Sequence, residues 1–182
     1  MKIVDCDDEG LEETARVLLD GGLAIIPTDT VYGLAAHPER ADAVERLYEA
    51  KGRDRSKPIA LLASGADAVA AAGFPLSGKA AGLAAENWPG ALTLVVDNGK
   101  ASEGFRVPDH GWTRRLLARC GGLLRTTSAN LSGEADATTA ADAAKSLERF
   151  AAIAADGGPS RAGKPSKVVK VLPSGEIEIL RA

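Results

Sequence analysis

The sequence predicts one α/β domain built on a mixed sheet, and three observations lead to this prediction. The chain has 182 residues, of which 45% are hydrophobic and 26% charged, which fits a single globular domain with a sizeable core. Segments typical of strands and segments with helical spacing are mixed along the whole length, without the strict alternation of a parallel βαβ series. The chain has no internal repeat and no stretch typical of a linker between domains.

The first elements are defined by the spacing of apolar residues. Residues 2–6 and 23–27 are predicted strands, and the second is a continuous apolar run of the kind found in buried strands. The segment between them has one apolar helical face and ends at Gly21 and Gly22. A second amphipathic helix is predicted to end near Gly52. The apolar side chains of the two helices are Leu11, Ala15, Leu18 and Leu19, then Val44, Leu47 and Tyr48.

The remaining elements are predicted by the same criteria. The alanine-rich residues 65–87 predict one or two helices with a break around 73–75, and further helices are expected near 112–119 and 138–149. Residues 156–166 predict a loop rather than a domain linker, because only 16 residues follow. The predicted later strands are residues 58–63, 91–97, 104–107, 123–127, 167–172 and 176–180.

Composition narrows the classes of function. A formal net charge of −3 argues against a protein that binds nucleic acid through bulk positive charge, although a local basic pocket is compatible with it. Cys6 and Cys120 have neither CxxC nor metal-ligand spacing, so we expect two free thiols. The N-terminal residues are too acidic for a signal peptide, and no apolar run approaches the roughly 18 residues of a membrane span. We therefore expect a cytoplasmic protein that does not associate with membranes.

Several common catalytic and cofactor motifs are absent. Residues 158–164 match G-x-x-x-x-G-K, but Pro165 stands where a P-loop needs Ser or Thr, and a strand is predicted where the P-loop needs a helix. No G-x-G-x-x-G follows a strand, and no G-x-S-x-G is present. His37 and His110 have no partners at zinc-ligand spacing, so no metal ligands are predicted in the chain itself.

Two polar segments follow predicted strands and are candidates for a functional site. Residues 28–34 come directly after a buried strand, which is where ligands bind in open α/β sheets. In residues 125–133, Ser128 and Asn130 are two positions apart in an extended segment and are therefore expected to point to the same side. Both segments are equally compatible with simple polar turns.

A third candidate is a cationic segment. Residues 51–57 contain four cations, among them Arg53, whose guanidinium can bind phosphate or carboxylate through two parallel hydrogen bonds. The alternative is a solvated loop. Arg106 is a further candidate, with an exposed ion pair to Asp109 as its alternative. We infer that these segments together line one cleft for an anionic ligand and a small polar molecule.

Five motifs follow one another between residues 23 and 133. They are residues 27–34 (PTDTVYGL), 51–53 (KGR), 88–94 (WPGALTL), 106–110 (RVPDH) and 127–133 (TSANLSG). In sequence and in order they resemble the motifs of the YrdC/TsaC family of threonylcarbamoyl-AMP synthases. The resemblance implies a single YrdC-like domain over residues 1–182, in which a twisted, open, mixed sheet flanked by helices forms a concave basic cleft. The chain is about the size of the family's single-domain form.

The resemblance also implies an activity and its site residues. A nucleotidyltransferase of this family joins L-threonine, bicarbonate or CO2, and ATP, which brings Mg2+, and a tRNA threonylcarbamoyl transferase complex then uses the product. A threonine carbamate that attacks the α-phosphorus needs alignment and charge rather than an enzyme nucleophile. Four residues are implied in catalysis: Lys51, Arg53, Ser128 and Asn130. Those implied to contact threonine are Thr30, Arg106, Ser128 and Ser166. Those implied to contact ATP are Lys51, Arg53, Lys57, Ser102, Asn130, Thr138 and Arg181.

Two departures from the family pattern and two alternatives accompany this interpretation. Leu61 and Leu62 stand near a position where many relatives carry histidine, and residues 166–168 are SKV rather than STV. Arg181 lies next to the last residue, where a strand is expected to fray. One alternative is a paralogue that acts on another carbamoyl compound. The other is a non-catalytic module that binds double-stranded RNA, and weak RNA binding is also compatible with a synthase.

Overall fold

Ten strands and six helices make up the computed structural model, which describes residues 1–182. The strands are β1 (Lys2–Asp5), β2 (Ala24–Ile26), β3 (Gly33–Ala36), β4 (Leu61–Ala63), β5 (Leu92–Asp97), β6 (Ser102–Arg106), β7 (Leu123–Ser128), β8 (Ile153–Asp156), β9 (Lys167–Val171) and β10 (Ile177–Arg181). The helices are α1 (Asp8–Leu19), α2 (Ala41–Lys51), α3 (Ala66–Ala71), α4 (Gly78–Asn87), α5 (Gly111–Arg119) and α6 (Ala140–Leu147). None of the helices combines the length and the apolar character that a membrane crossing requires.

All ten strands form one sheet in the order β1-β8-β2-β3-β7-β4-β6-β5-β9-β10. Four pairs are parallel: β8 with β1, β8 with β2, β6 with β4, and β9 with β5. The other pairs are antiparallel. The structure therefore confirms the predicted mixed sheet flanked by helices.

Helices cover both faces of the central strands. In β2, Ile25 packs in a core cluster with residues of α2 and α6, whereas its neighbours Ala24 and Ile26 pack in a second cluster with residues of α1 and α5. Successive side chains of a strand point to opposite faces, so both faces of β2 are covered and its three residues are all apolar. This burial on both faces explains the continuous apolar run at residues 23–27 of the sequence.

The other half of the sheet has one covered face and one open face. In β5, Leu92, Leu94 and Val96 pack in a third core cluster with residues of α3 and α4. The alternate residues Thr93 and Val95 instead line a cleft. This alternation gives the molecule a concave surface on the side of the sheet that faces away from α3 and α4.

Most predicted elements are present, with three differences. β3 and β8 were not predicted, and β4 is shorter than residues 58–63, because Pro58 has no N–H to donate and pairing begins at Leu61. Near the start of β3, a Cβ at Gly33 would lie 2.5 Å from Thr126 Cγ2, so the approach of β3 to β7 requires glycine. The predicted end of α2 is confirmed at Gly52, which has the left-handed φ of 52°.

Candidate active site

A cleft of about 670 Å³ lies on the concave surface and brings the polar segments together. Its walls come from the β2–β3 loop, the C-terminal end of α2, strands β4 to β7, and the region of Ser166 through β9 and β10. Four cations and two carboxylates line the cleft, although the whole chain is net acidic. They are Lys51, Arg53, Arg106, Arg181, Glu103 and Asp136.

Arg106 is a buried guanidinium at the end of β6. Its Nε donates to the carbonyl of Gly90 at 3.0 Å, its Nη1 donates to Thr30 Oγ1 at 2.8 Å, and its Nη2 donates to Asp29 Oδ1. The alternative considered for Arg106, an exposed ion pair with Asp109, is not formed, since Asp109 pairs with Arg161 at 3.2 Å. Burial lowers the pKa of Arg106, and the charge of Asp29 opposes this shift.

Lys51 joins the end of α2 to the loop after β7. Its Nζ donates to the carbonyl of Ser128 at 3.1 Å, to Asn130 Oδ1 at 2.7 Å and to the carbonyl of Asn130. Ser128 Oγ donates to Asn130 Oδ1 at 2.6 Å, so the two side chains are on the same side, as the sequence predicted. Burial lowers the pKa of Lys51 to about 8, and the charge of Asp136 opposes this shift.

Arg53 lies in the exposed loop that follows α2. Its Nε donates to the carbonyl of Lys57 at 2.8 Å and its Nη2 to the carbonyl of Pro58 at 3.2 Å. No carboxylate pairs with Arg53, and its neighbour Arg55 points instead to Glu45 on α2. An unpaired guanidinium on the rim of a cleft is available for an anionic ligand.

Ser166 forms the opposite side of the cleft. It is buried, and its Oγ is 2.8 Å from Thr93 Oγ1 and accepts from Arg181 Nη2 at 3.2 Å. Arg181 Nε also donates to the carbonyl of Ser166 at 2.9 Å. Two hydrogen bonds therefore join the side chain of Arg181, on β10, to Ser166.

The loop between β8 and β9 is fastened to the β2–β3 loop. The Oη of the buried Tyr32 donates to the carbonyl of Gly158 at 2.7 Å and accepts from the N–H of Gly157 at 3.1 Å. The main-chain N–H groups of Ala162 and Gly163 donate to the carbonyls of the β2–β3 loop. The predicted loop 156–166 thus has a defined path, and the absence of a P-loop is consistent with strand β9, which follows it.

Nine of the eleven predicted site residues line this cleft, and two do not. The lining includes Thr30, Lys51, Arg53, Ser102, Arg106, Ser128, Asn130, Ser166 and Arg181. Lys57 and Thr138 lie outside the lining, so their contact with ATP stays a prediction. His110 caps α5, where its Nδ1 accepts from the N–H of Thr113 at 3.3 Å, and has a structural role.

Three acidic residues of this region were not predicted. Glu103 accepts two hydrogen bonds from Arg125, at 2.8 and 2.5 Å. Asp136 lines the cleft without an ion pair, and Asp29 lies behind Arg106. Asp29 falls within the motif of residues 27–34 and could have been found there, whereas nothing in the local sequence marks the other two.

Comparison with known proteins gives matches over nearly the whole chain. The family model Sua5_yciO_yrdC, described as "Telomere recombination", matches residues 16–182. The threonylcarbamoyl-AMP synthase of Bacillus subtilis is 33% identical over 174 residues, which cover 90% of this chain and 50% of that protein. That of Chromohalobacter salexigens is 35% identical over 183 residues, which cover 91% of this chain and 98% of the relative.

A solved structure has the same fold over the full chain. Sua5 from P. abyssi in complex with L-threonine superposes with a TM-score of 0.90 and 27% identity. The match covers 100% of this chain and 57% of Sua5. The chain thus spans about half the length of the B. subtilis and P. abyssi proteins and nearly the whole of the C. salexigens protein.

Proposed function

The chain belongs to the Sua5/YciO/YrdC family, and from this premise we propose that it is a threonylcarbamoyl-AMP synthase. The amine of L-threonine forms a carbamate, either with CO2, which releases a proton, or with bicarbonate, which releases water. A carbamate oxygen then attacks the α-phosphorus of ATP. The bond from that phosphorus to the bridging oxygen breaks, and pyrophosphate leaves with the electron pair. Relatives that carry this name and cover most of the chain support the proposal.

The observation that carries the proposal is that one cleft holds cations in two different settings, one buried and one exposed. Arg106 is buried beside the hydroxyl of Thr30 and suits the carboxylate of an amino acid, because a guanidinium binds carboxylate with two parallel hydrogen bonds. Arg53 lies in the exposed loop after α2, and Lys51 is the last residue of that helix. These cations suit a polyphosphate. The cleft therefore offers places for both substrates at once.

Alignment and charge account for catalysis by these residues. The carbamate is already anionic, so no enzyme nucleophile is required, and the reaction gains chiefly from holding the two substrates in attack geometry. Ser128 and Asn130, which Lys51 fixes by hydrogen bonds, position the substrates in the cleft. Arg53 stabilises the negative charge that develops on the phosphates.

The residues of the cleft can bind Mg2+ only together with ATP. No group of three or more His, Cys, Asp or Glu side chains could hold a metal ion on its own. Mg2+ commonly binds through one or two carboxylates, substrate phosphates and water. Asp136, which lines the cleft and has no ion pair, would supply the carboxylate. The ion would neutralise phosphate charge.

The remaining assignments are proposed from the family. Threonine contacts Thr30, Arg106, Ser128 and Ser166. ATP contacts Lys51, Arg53, Ser102, Asn130 and Arg181, with Lys57 and Thr138 as further contacts outside the lining described above. The product is handed to a tRNA threonylcarbamoyl transferase in the cytoplasm. We expect any direct RNA binding to be weak, because the chain is net acidic.

Pyrophosphate release from ATP tests the proposal. The protein is incubated with ATP, Mg2+ and bicarbonate, with and without L-threonine, and with serine and glycine as controls. We expect release that depends on threonine, and a threonylcarbamoyl adduct of AMP in the mass spectrum of the products.

The opposite outcomes contradict the proposal in distinguishable ways. ATP binding without threonine-dependent release would indicate a paralogue that acts on another carbamoyl compound. No release, together with an RNA affinity that falls steeply with salt, would indicate an RNA-binding module.

A further inference from the structure

Asp29 is a buried carboxylate that none of the assigned roles uses. It has a relative exposure of 9%, and it does not line the cleft. Its Oδ1 accepts from Arg106 Nη2 and, at 3.1 Å, from the main-chain N–H of Asp109. One carboxylate oxygen therefore joins the β2–β3 loop, the guanidinium at the end of β6 and the chain that leaves β6.

The hydrogen bonds of Arg106 show what Asp29 contributes. A guanidinium has five N–H groups in one plane. Gly90, Thr30 and Asp29 accept one each, from Nε, Nη1 and Nη2, so all three nitrogens are held. With three partners around its edge, the plane of the guanidinium has one orientation, and one N–H of each terminal nitrogen is left over.

The leftover N–H groups have only one protein contact. Nη2 lies 3.5 Å from Thr28 Oγ1, the longest contact of the guanidinium. That hydroxyl donates to the carbonyl of Val31 at 2.7 Å and lies 2.9 Å from Thr30 Oγ1. An arriving carboxylate oxygen can therefore replace the long contact without leaving the hydroxyl of Thr28 unpaired.

We propose that Asp29 is a positioning residue, whose carboxylate orients the Arg106 guanidinium so that its remaining N–H groups bind the carboxylate of the amino-acid substrate. This inference rests on the proposed function and adds a residue to it. Asp29 also supplies the countercharge that a buried guanidinium needs. Position and charge are therefore two separate contributions of one side chain.

The geometry allows the two contributions to be separated. Both hydrogen bonds end on Oδ1, and the second carboxylate oxygen receives none. In Asp29→Asn the amide oxygen can accept both bonds, so position is retained and charge is lost. In Asp29→Glu the charge is retained, but the added methylene displaces the oxygen. In Asp29→Ala both are lost.

Threonine binding and steady-state kinetics test the inference on the full chain. Affinity for L-threonine is measured by calorimetry, and KM for threonine and for ATP by pyrophosphate release. We expect Asp29→Ala to weaken threonine binding by about tenfold or more, on the scale of a lost charge-assisted hydrogen bond. The threonine affinity of Asp29→Asn should stay within about threefold of that of the unmodified chain, and that of Asp29→Glu should be closer to that of Asp29→Ala. KM for ATP should change by less than about twofold in all three variants.

Asp109→Ala is the matched control, because it removes a nearby carboxylate whose ion pair with Arg161 is exposed and keeps the main-chain N–H that Asp29 accepts. Its threonine affinity should be unchanged. The inference would be overturned if Asp29→Ala bound threonine as tightly as the unmodified chain, or if its KM for threonine and its KM for ATP rose equally. It would also be overturned if Asp29→Glu bound threonine more tightly than Asp29→Asn. If Asp29→Ala does not fold, the comparison of threonine affinity between Asp29→Asn and Asp29→Glu still tests the inference. If the unmodified chain binds no threonine, the proposed function itself fails, and the inference with it.

Discussion

Arg53 is the cation of the cleft that contributes least to the fold. Its two hydrogen bonds go to main-chain carbonyls of the same exposed loop, and it has no carboxylate partner. A side chain of this kind affects stability little, whereas an unpaired guanidinium near a polyphosphate stabilises the charge of the transition state. Activity and stability should therefore respond to its loss very differently.

We expect Arg53→Ala to lower kcat/KM for pyrophosphate release by about 10²-fold or more. The free energy of unfolding should change by less than about 0.5 kcal/mol. Arg55→Ala is the matched control, because Arg55 is two positions away but pairs with Glu45 outside the cleft. A near-normal rate in Arg53→Ala, or the same loss in both variants, would exclude the proposed role.

The lowered pKa of Lys51 predicts a pH dependence of activity. Its ammonium group holds the loop of Ser128 and Asn130 through three acceptors, and burial lowers its pKa to about 8. Above that pH the neutral amine has fewer protons to donate and no charge to offer a phosphate. We expect kcat/KM, whose pH profile reports the free enzyme, to fall as pH rises through about 8, measured between about pH 6.5 and about pH 9.5. Lys79→Met, at an exposed position of α4, should leave the midpoint unchanged.

The same group affects stability with the opposite sign. Below about pH 8 both the folded and the unfolded chain hold the proton, and the buried ammonium destabilises the fold. Between about pH 8 and the ordinary pKa of 10.5, the folded chain releases the proton while the unfolded chain keeps it. The contribution of Lys51 to the free energy of unfolding therefore rises with pH in this window. A kcat/KM that stays constant between about pH 6.5 and about pH 9.5 would show that protonated Lys51 is not required.

At single residues, the sequence predicted cations and hydroxyls better than the acidic groups that hold them. Lys51, Arg53 and Arg106 stand in motifs that are rich in charge, so the local sequence marks them. The partner of Arg106 is Asp29, 77 positions away, rather than Asp109, three positions away. Ion pairs across a sheet depend on strand order, which local spacing does not encode.

Between the strands, the loop that joins β8 to β9 contributes Ser166 to the cleft. It carries Ser166 at its end, and Tyr32 fastens its beginning with two hydrogen bonds. Ser166 Oγ then contacts Thr93 and Arg181, so the hydroxyl has a fixed position on the cleft wall. A fixed hydroxyl on that wall suits recognition of a small polar substrate.

Ser166→Ala should raise KM for threonine by about fivefold, the scale of one neutral hydrogen bond, and should raise KM for ATP less. The readout is the pair of KM values from pyrophosphate release. Ser160→Ala is a control in the same loop, because the buried Ser160 Oγ has no hydrogen-bond partner. A larger rise in KM for ATP than for threonine would show that this hydroxyl contacts the nucleotide instead.

The two strands that were not predicted are short and rich in small residues. β3 is Gly-Leu-Ala-Ala and β8 is Ile-Ala-Ala-Asp. Alanine favours helices, and neither strand has the alternating pattern or the β-branched content that marks a strand. Both lie between neighbours in the middle of the sheet or next to its edge, where pairing and close packing outweigh local preference. The long amphipathic helices were predictable because their apolar spacing is a local signal.

On the scale of the whole molecule, an ion pair crosses the sheet beneath the cleft. In the strand order β7-β4-β6, Arg125 of β7 and Glu103 of β6 pair across β4 through two hydrogen bonds, at 2.8 and 2.5 Å. Arg125 also donates to the carbonyl of Ile59 at 2.6 Å. Their side chains are 24% and 14% exposed, so solvent screens the pair only in part. The pair therefore links β6 and β7, two strands that both contribute to the cleft and are separated by β4.

Glu103→Ala should lower the free energy of unfolding by about 2 kcal/mol, below the loss expected for a fully buried pair, because some solvent reaches both partners. Glu12→Ala is the matched control, since Glu12 pairs with Arg119 on the surface and both side chains are about half exposed. Its loss should be below about 1 kcal/mol. Urea denaturation measures both, and equal losses would mean that the pair across β4 adds no more stability than a surface pair. If it adds more, Glu103→Ala should also lose activity at lower urea concentrations than Glu12→Ala, because β6 and β7 both contribute residues to the cleft.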